Sequence, residues 1–431
     1  MLALEYRRSP ARFLTVRGAS STRFGARMSG ALATNVAPLR LVNHAEPARP
    51  ATGWTRLKPL LSGICGSDLS LLTGRSSPYL GALVSMPFVP GHEVVAETLD
   101  DLPGLARGTR VVVDPVLSCV ARAVPPCRWC QVGRHSRCDR ITGGRLAAGL
   151  QTGFCTDTGG GWSRRMLAHA SQLHPVPDGL DDHRAVLTEP LACAIHSVRR
   201  VAIPDGAAAL VVGAGTVGLL TVLALRAATR VGPIYVIAKH GHQRERARAL
   251  GATEVFEPSR AARALRRACG GTLEHPVLGP EFLLGGADLA YECSGAASGL
   301  DTALRLVRAG GTVVLSGMPS GRVDLTPVWF RELRLVGSYA SDGRGVPEGA
   351  DGASTADAAG AADGSGVAEP GDEPADRAGQ FAEALTLAAA APLDGYVNAV
   401  YSLSRWREAI GHAARAGELG TIKVAFDPRR N

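Results

Sequence analysis

Eight consecutive residues constrain this chain more than any others. Val211-Val212-Gly213-Ala214-Gly215-Thr216-Val217-Gly218 set a G-x-G-x-x-G pattern between the apolar run Ala208–Val212 and the apolar helical stretch Val217–Ala228. The first glycine permits a tight turn, the second lets backbone approach a pyrophosphate, and the third lets helix pack on strand. The N–H groups of the helix's first turn then face the phosphates. With 52 glycines in the chain, a glycine-rich turn alone says little, and the pattern gains its force from its setting. Strands at Ile234–Ala238, Ala287–Glu292 and Thr312–Ser316 alternate with helices at Gln243–Leu250 and Gly299–Val307. Such alternation implies a parallel sheet covered on both faces. The expected fold class is α/β, with a doubly wound parallel sheet from about Ala207 onward. Gly213, Gly215, Thr216, Val217 and Gly218 are its candidate cofactor contacts.

An NAD site carries an acid about 20 residues further on, bound to the ribose 2′-hydroxyl. Here the second strand ends in Lys239 and His240, with Arg244 and Arg246 following. Cations at that place suit a 2′-phosphate, so NADP(H) is expected over NAD(H).

The remainder of the chain reads differently. Up to about residue 200 it is punctuated by Gly and Pro, with short apolar runs such as Val94–Thr98 and Arg110–Val113, as in a mostly β region with long loops. The first 30 residues hold six arginines and one acid and read as an opening strand, Leu2–Tyr6, followed by a polar loop. Residues 341–379 carry nine acids, two arginines and only two larger aliphatics, a composition that cannot offset its ordering entropy, so disorder is expected there. Helices at Phe381–Ala390 and Ser404–Ala416 and a strand at Thr421–Phe426 close the chain.

Composition narrows the function. The 431 residues leave room for two or three domains, and no run approaches the length a membrane span needs. The net charge of +8 invites a nucleic-acid partner, but only three of the 47 basic residues are lysine (Lys58, Lys239, Lys423) and the arginines are scattered. That is the coding bias of a GC-rich genome rather than a phosphate-binding face, and neither a nucleic-acid nor a membrane partner is expected.

Nine cysteines cannot all pair within one chain, and five of them fall between Cys65 and Cys138. Without a secretory signal, this clustering points to metal-holding thiolates in a reducing, cytoplasmic setting. Cys119-x7-Cys127-x2-Cys130-x7-Cys138 lies in a loop rich in Pro, Gly and Arg, and four thiolates in a turn-rich segment suit a closed, structural zinc site. Cys65-Gly66-Ser67-Asp68, Gly91-His92-Glu93 and Thr188-Glu189-Pro190 form a second set, able to build an open zinc site.

Together these motifs resemble the zinc-dependent medium-chain alcohol dehydrogenases, in the sorbitol/threonine dehydrogenase-like branch. The matching stretches are GICGSDL (Gly63–Leu69), GHE (Gly91–Glu93), the cysteine loop, EPLACAIH (Glu189–His196), GAGTVG (Gly213–Gly218) and GSY (Gly337–Tyr339). The resemblance implies a GroES-like, mostly β catalytic domain over residues 1–198, with a structural zinc lobe near 117–140. The Rossmann domain (199–340), the acidic insert (341–379) and a segment returning to the catalytic domain (380–431) would follow. It also implies Cys65, His92 and Glu189 as ligands of a catalytic zinc, Glu93 as a neighbouring or exchanging ligand, and Cys119, Cys127, Cys130 and Cys138 around a structural one. Ser67 would pass the alcohol's proton toward solvent, while Asp68 braces the loop. A homo-oligomer, dimer or tetramer, is implied as well. The sequence departs from the family in the wide spacing after Cys119 and in Ser70, which stands where threonine dehydrogenases carry a histidine. Cys155 and Cys193 match no ligand position and are expected to be structural. The rival readings are a zinc-free enone or quinone reductase of the same superfamily and a non-catalytic nucleotide-binding protein.

Overall fold

A computed structural model of the protein describes residues 1–20, 29–318, 321–342 and 379–430. The strand Ala209–Val212, wholly buried, stands third in a six-stranded sheet. Ile234–Ile237 and Glu254–Phe256 continue the sheet on one side, and Ala287–Glu292, Val307–Leu315 and Arg334–Gly337 on the other. In chain order this is 3-2-1-4-5-6 with every pairing parallel, the doubly wound order expected. The unbroken apolar runs ALVV and IYVI are what burial on both sheet faces requires. Two strands escape prediction, Glu254–Phe256 and Arg334–Gly337, because each is short and exposes charged residues at a sheet edge.

The other half is built on a seven-stranded sheet. Along it lie Val397–Tyr401, Lys423–Phe426, Trp54–Gly63, Val94–Thr98, Arg110–Val113 and Leu173–Pro175, with Met166–His169 beside the first part of Trp54–Gly63. The late strand Lys423–Phe426 runs antiparallel to Trp54–Gly63, opposing Ala425 to Gly63. This pairing carries the C-terminal segment back to the strand that leads into Cys65. The two halves share one core, in which Leu191 and Ile195 of helix Thr188–Arg199 join Val211, Leu219 and Tyr291 from the parallel sheet.

Two expectations are corrected. Leu2–Tyr6 is a strand, paired with Leu39–Asn43, but the segment after it contains helices Pro10–Ser20 and Ser29–Asn35 in place of a polar loop. Tertiary packing overrides the weak local pattern: Val16 and Ala33 are buried, and Arg17 donates to the carbonyls of Gly74 and Ser76 at 3.3 and 3.1 Å. At the other end, Ser341, Asp342 and Gly379 are buried rather than disordered. The expectation of disorder for 343–378 lies outside the described residues. No helix among the described residues is long and apolar enough to cross a membrane.

Candidate active site

The strand Trp54–Gly63 ends at a turn from which helix Gly66–Leu72 departs, with Cys65 as its N-cap residue. Asp68 Oδ2 accepts the Cys65 N–H at 2.9 Å, so Asp68 does brace this loop. Its other oxygen faces His92, with Nδ1 at 3.7 Å, while His92 Nε2 lies 3.4 Å from Ser67 Oγ. Cys65, His92 and Glu93 bring one ligand atom each to within 4.8 Å of one another. Lys423 Nζ, from the returning strand, donates to Glu93 Oε1 at 2.6 Å inside the protein.

Glu189 is placed differently from expectation. It opens helix Thr188–Arg199 and lines the same cleft, and its charge acts on His92, yet its carboxylate is outside the 4.8 Å group, where Glu93 stands. Burial pushes its carboxyl up to about 7, against the pull of His92. Cys193, expected to be structural, lines the cleft and donates to Glu189 at 3.3 Å; Cys155 is buried as expected. Asp68, Glu93 and Glu189 are thus buried around one fixed cation, Lys423, and this surplus of anionic and soft donors suits a divalent ion of zinc's character. A cation held by His92 Nε2 would leave the Nδ1 proton directed at Asp68, the usual support of a ligating imidazole.

Cys119, Cys127, Cys130 and Cys138 also gather within 4.8 Å, all buried, so the wide spacing after Cys119 does not keep it out. Cys119 and Cys138 sulfurs lie 3.6 Å apart, far beyond a disulfide bond. Backbone N–H groups of Cys127 and Arg140 reach the sulfurs of Cys119 and Cys138 at 3.3 and 3.4 Å, as befits thiolates. The loop's shape depends on Arg122, which sequence reasoning missed. Fully buried without a carboxylate, it donates to the carbonyls of Leu117, Gly143, Leu146, Ala147 and Gly149.

The glycine turn reaches the same cleft through Val217. Gly213 has φ +96°, a left-handed conformation, and a Cβ on Gly218 would sit 1.9 Å from the Gly213 carbonyl oxygen. A Cβ on Gly215 would meet nothing within 4 Å, leaving its backbone open on the side a pyrophosphate approaches. Val217 and the ends of the next strands, Ser294–Ala297 and Leu315–Met318, line one cleft with Cys65, His92, Glu93 and Glu189, about 1410 Å³ in volume. At the second strand, Lys239 is exposed, His240 precedes helix Gly241–Ala249, and Arg244 donates to the Lys239 carbonyl at 3.2 Å while lying 3.5 Å from Glu257. Arg246 leaves this cluster, bonding the Asp394 carbonyl and stacking over Tyr396.

Residues 51–178 match the model of the alcohol dehydrogenase GroES-like domain and residues 216–351 that of the zinc-binding dehydrogenase family. D-xylulose reductase A of Aspergillus niger is 30% identical over 285 residues, covering 64% of this chain and 72% of that protein. The chain belongs to the zinc-dependent medium-chain alcohol dehydrogenases. It is therefore an oxidoreductase that works with a nicotinamide cofactor, of the sorbitol-dehydrogenase-like branch. Sorbitol dehydrogenase of Arabidopsis thaliana is 28% identical over 298 residues, 66% of this chain and 73% of the relative. A zinc-binding dehydrogenase of Sinorhizobium meliloti solved with NADP superposes with a TM-score of 0.65 at 27% identity, over 90% of this chain and 95% of the other.

Besides Arg122, three buried residues around the site were not singled out from sequence: Lys423, His196 and Asp342. Asp342 accepts from Arg134 at 3.0 Å and Ser136 at 2.7 Å beside the cysteine loop, and its N–H donates to Gln380 at 2.7 Å. Gln380 in turn meets His196 Nδ1 at 3.2 Å. Both ends of the acidic insert are thereby tied to the helix that carries Glu189. The partners are hundreds of residues apart in part, and no local pattern announces them.

Proposed function

We propose that this dehydrogenase oxidises a secondary alcohol or polyol with NADP+, and reduces the matching carbonyl compound, using Cys65, His92 and Glu189 as ligands of a catalytic zinc. The observation that carries the reading is the meeting of Cys65, His92 and Glu93 in the lining of a cleft that Glu189 and, from the glycine motif, Val217 also line. Zinc held there supplies the Lewis acidity that lets an alcohol lose its proton near neutral pH, and the nicotinamide is the hydride acceptor. Ser67 Oγ, lining the cleft beside His92, takes the hydroxyl proton and passes it outward. Lys423 holds Glu93 by both carboxylate oxygens, and so keeps it back as a neighbouring ligand that can exchange. Relatives named for sorbitol and D-xylulose support a polyol substrate.

The four-cysteine lobe is assigned a second, structural zinc, which separates this reading from a zinc-free reductase of the superfamily. Gly213, Gly215, Thr216, Val217 and Gly218 hold the pyrophosphate, while Lys239, His240 and Arg244 receive the 2′-phosphate. The division into a catalytic domain (1–198 with 380–431) and a nucleotide domain (199–340) accords with the two sheets. The outer edge of strand Arg334–Gly337, unpaired among the described residues and with Trp329 and Phe330 exposed beside it, suits pairing with a second copy, and nine unpaired cysteines suit a cytoplasmic setting.

Metal analysis and steady-state kinetics test this together. Purified protein is expected to hold about two zinc ions per chain. Its kcat/KM for NADPH should exceed that for NADH, and Lys239→Ala should cut this preference about tenfold by removing a charge-assisted phosphate contact. A higher kcat/KM with NADH would overturn the cofactor assignment.

A further inference from the structure

We propose that the wall formed by the N-terminal helix selects a substrate bearing an anionic group, a carboxylate or a phosphate monoester, remote from the carbon that is oxidised, and that Arg8 and Arg75 receive it. The inference rests on the redox reading above and deepens it.

The segment between strands Leu2–Tyr6 and Leu39–Asn43 lies outside both stretches that match the family, so nothing about the family dictates what it does. In this chain it builds part of the cleft. Helix Pro10–Ser20 docks on the loop after the Cys65 helix through the two Arg17 bonds to Gly74 and Ser76, and a Cβ on Gly74 would lie 2.8 Å from the Arg17 nitrogen. That close approach brings Arg8, Ser9, Pro10 and Phe13 into the cleft lining together with Arg75.

Charge in the cleft is lopsided. Among the described residues its acidic lining is Glu93, paired with Lys423, and Glu189, which accepts from Cys193, against four arginines at 8, 75, 137 and 200. Arg137 and Arg200 are engaged elsewhere, one stacking over Trp129 and the other donating to the Gly337 carbonyl. Arg8 makes no hydrogen bond or ion pair among the described residues, and Arg75 touches Thr73 Oγ1 through Nε alone, at 3.1 Å. Two exposed arginines without carboxylate partners among the described residues therefore line the cleft, as do residues of the loop Ser76–Met86. A guanidinium meets a carboxylate or a phosphate in a paired, charge-assisted geometry that a hydroxyl cannot match. The 2′-phosphate of the cofactor is no competitor, since Lys239 and Arg244 receive it on the second strand of the other domain.

The test compares three matched substrates with NADP+: an alditol, the corresponding aldonate and the corresponding alditol phosphate. The anionic compounds are expected to exceed the neutral one in kcat/KM by at least about tenfold, chiefly through KM. Which of the two leads tells carboxylate from phosphate. In Arg8→Ala and in Arg75→Ala the ratio of anionic to neutral kcat/KM should fall about tenfold, and Arg8→Lys should recover part of it. Equal turnover of neutral and anionic substrates by the native enzyme, or a ratio the substitutions leave untouched, overturns the anion assignment while the redox reading stands. No turnover of any alcohol, neutral or charged, overturns the redox reading and takes this inference with it.

Discussion

In the nucleotide half, what the pyrophosphate needs lies within Gly213–Gly218, and backbone does most of the work: a left-handed turn, an open approach at Gly215 and a helix N-terminus. In the metal half, Cys65, His92, Glu93, Glu189 and Lys423 arrive from four distant parts of the chain and act through side chains. The first arrangement is fixed once one strand–turn–helix unit forms. The second exists only after the last strand, Lys423–Phe426, has paired with Trp54–Gly63. Neighbouring sites in one cleft can therefore fail independently, and substitutions can show whether they do.

Cys65→Ser should have the largest effect. A hydroxyl is a poor zinc ligand, and losing Lewis-acid stabilisation worth several kcal/mol lowers kcat by about 10³-fold. Metal analysis should show the loss of one zinc per chain. NADPH affinity, read by fluorescence titration, should stay within about twofold because the glycine turn belongs to a strand–turn–helix unit that shares no partner with Cys65. Parallel loss of cofactor binding would show that the halves are not separable.

Lys423→Met probes how the metal half is held together. Without its cation, Glu93 is a buried carboxylate with no counter-charge, which is destabilising and frees it to crowd the metal. Removing such a support costs about 10- to 100-fold, here expected in kcat. Zinc content should hold while Tm falls. Unchanged kcat would mean that Lys423 serves folding alone.

The same contrast explains what sequence could disclose. The nucleotide fold was legible because its determinants are local: two apolar strands, a glycine turn between strand and helix, and alternation that admits one sheet type. Cys65, His92 and the four cysteines were legible as motifs, since ligand chemistry restricts residue type. Lys423 was not, because a lysine at the start of a closing strand has no local mark of burial. Arg122 and Asp342 were hidden for the same reason, and a compositional reading placed Asp342 in the acidic insert although its partners are Arg134 and Ser136. The N-terminal helix was read as a loop because its apolar pattern is weak and its hold on Gly74 and Ser76 is a contact between distant residues.

The smallest expected effect concerns the seam between the halves. His196 stands on the helix that carries Glu189, and its charged neighbours are Asp342, Arg134, Arg137 and Arg200. Burial brings its pKa down to about 4; Asp342 pulls the other way, and the arginines add to the lowering. Asp342 itself stays ionised, since Ser136 and Arg134, which donate to it, hold its carboxyl below the ordinary value against the burial that would raise it. The folded imidazole thus takes its proton well below the pH at which the unfolded one does. Between pH 6.5 and 5 the unfolded chain binds the extra proton, so stability falls as pH falls, by up to about 2 kcal/mol from this one group. In His196→Gln, which keeps an amide beside Gln380, the fall in Tm over that interval should be shallower than in the native enzyme, whatever the offset at pH 7. Other groups also contribute to acid sensitivity, so the difference between the two slopes is the measurement. Equal slopes would show that the folded imidazole takes its proton at the same pH as the unfolded one, and a shallower fall in the native enzyme would show an ion pair between His196 and Asp342 rather than a neutral ring beside a carboxylate held by Arg134.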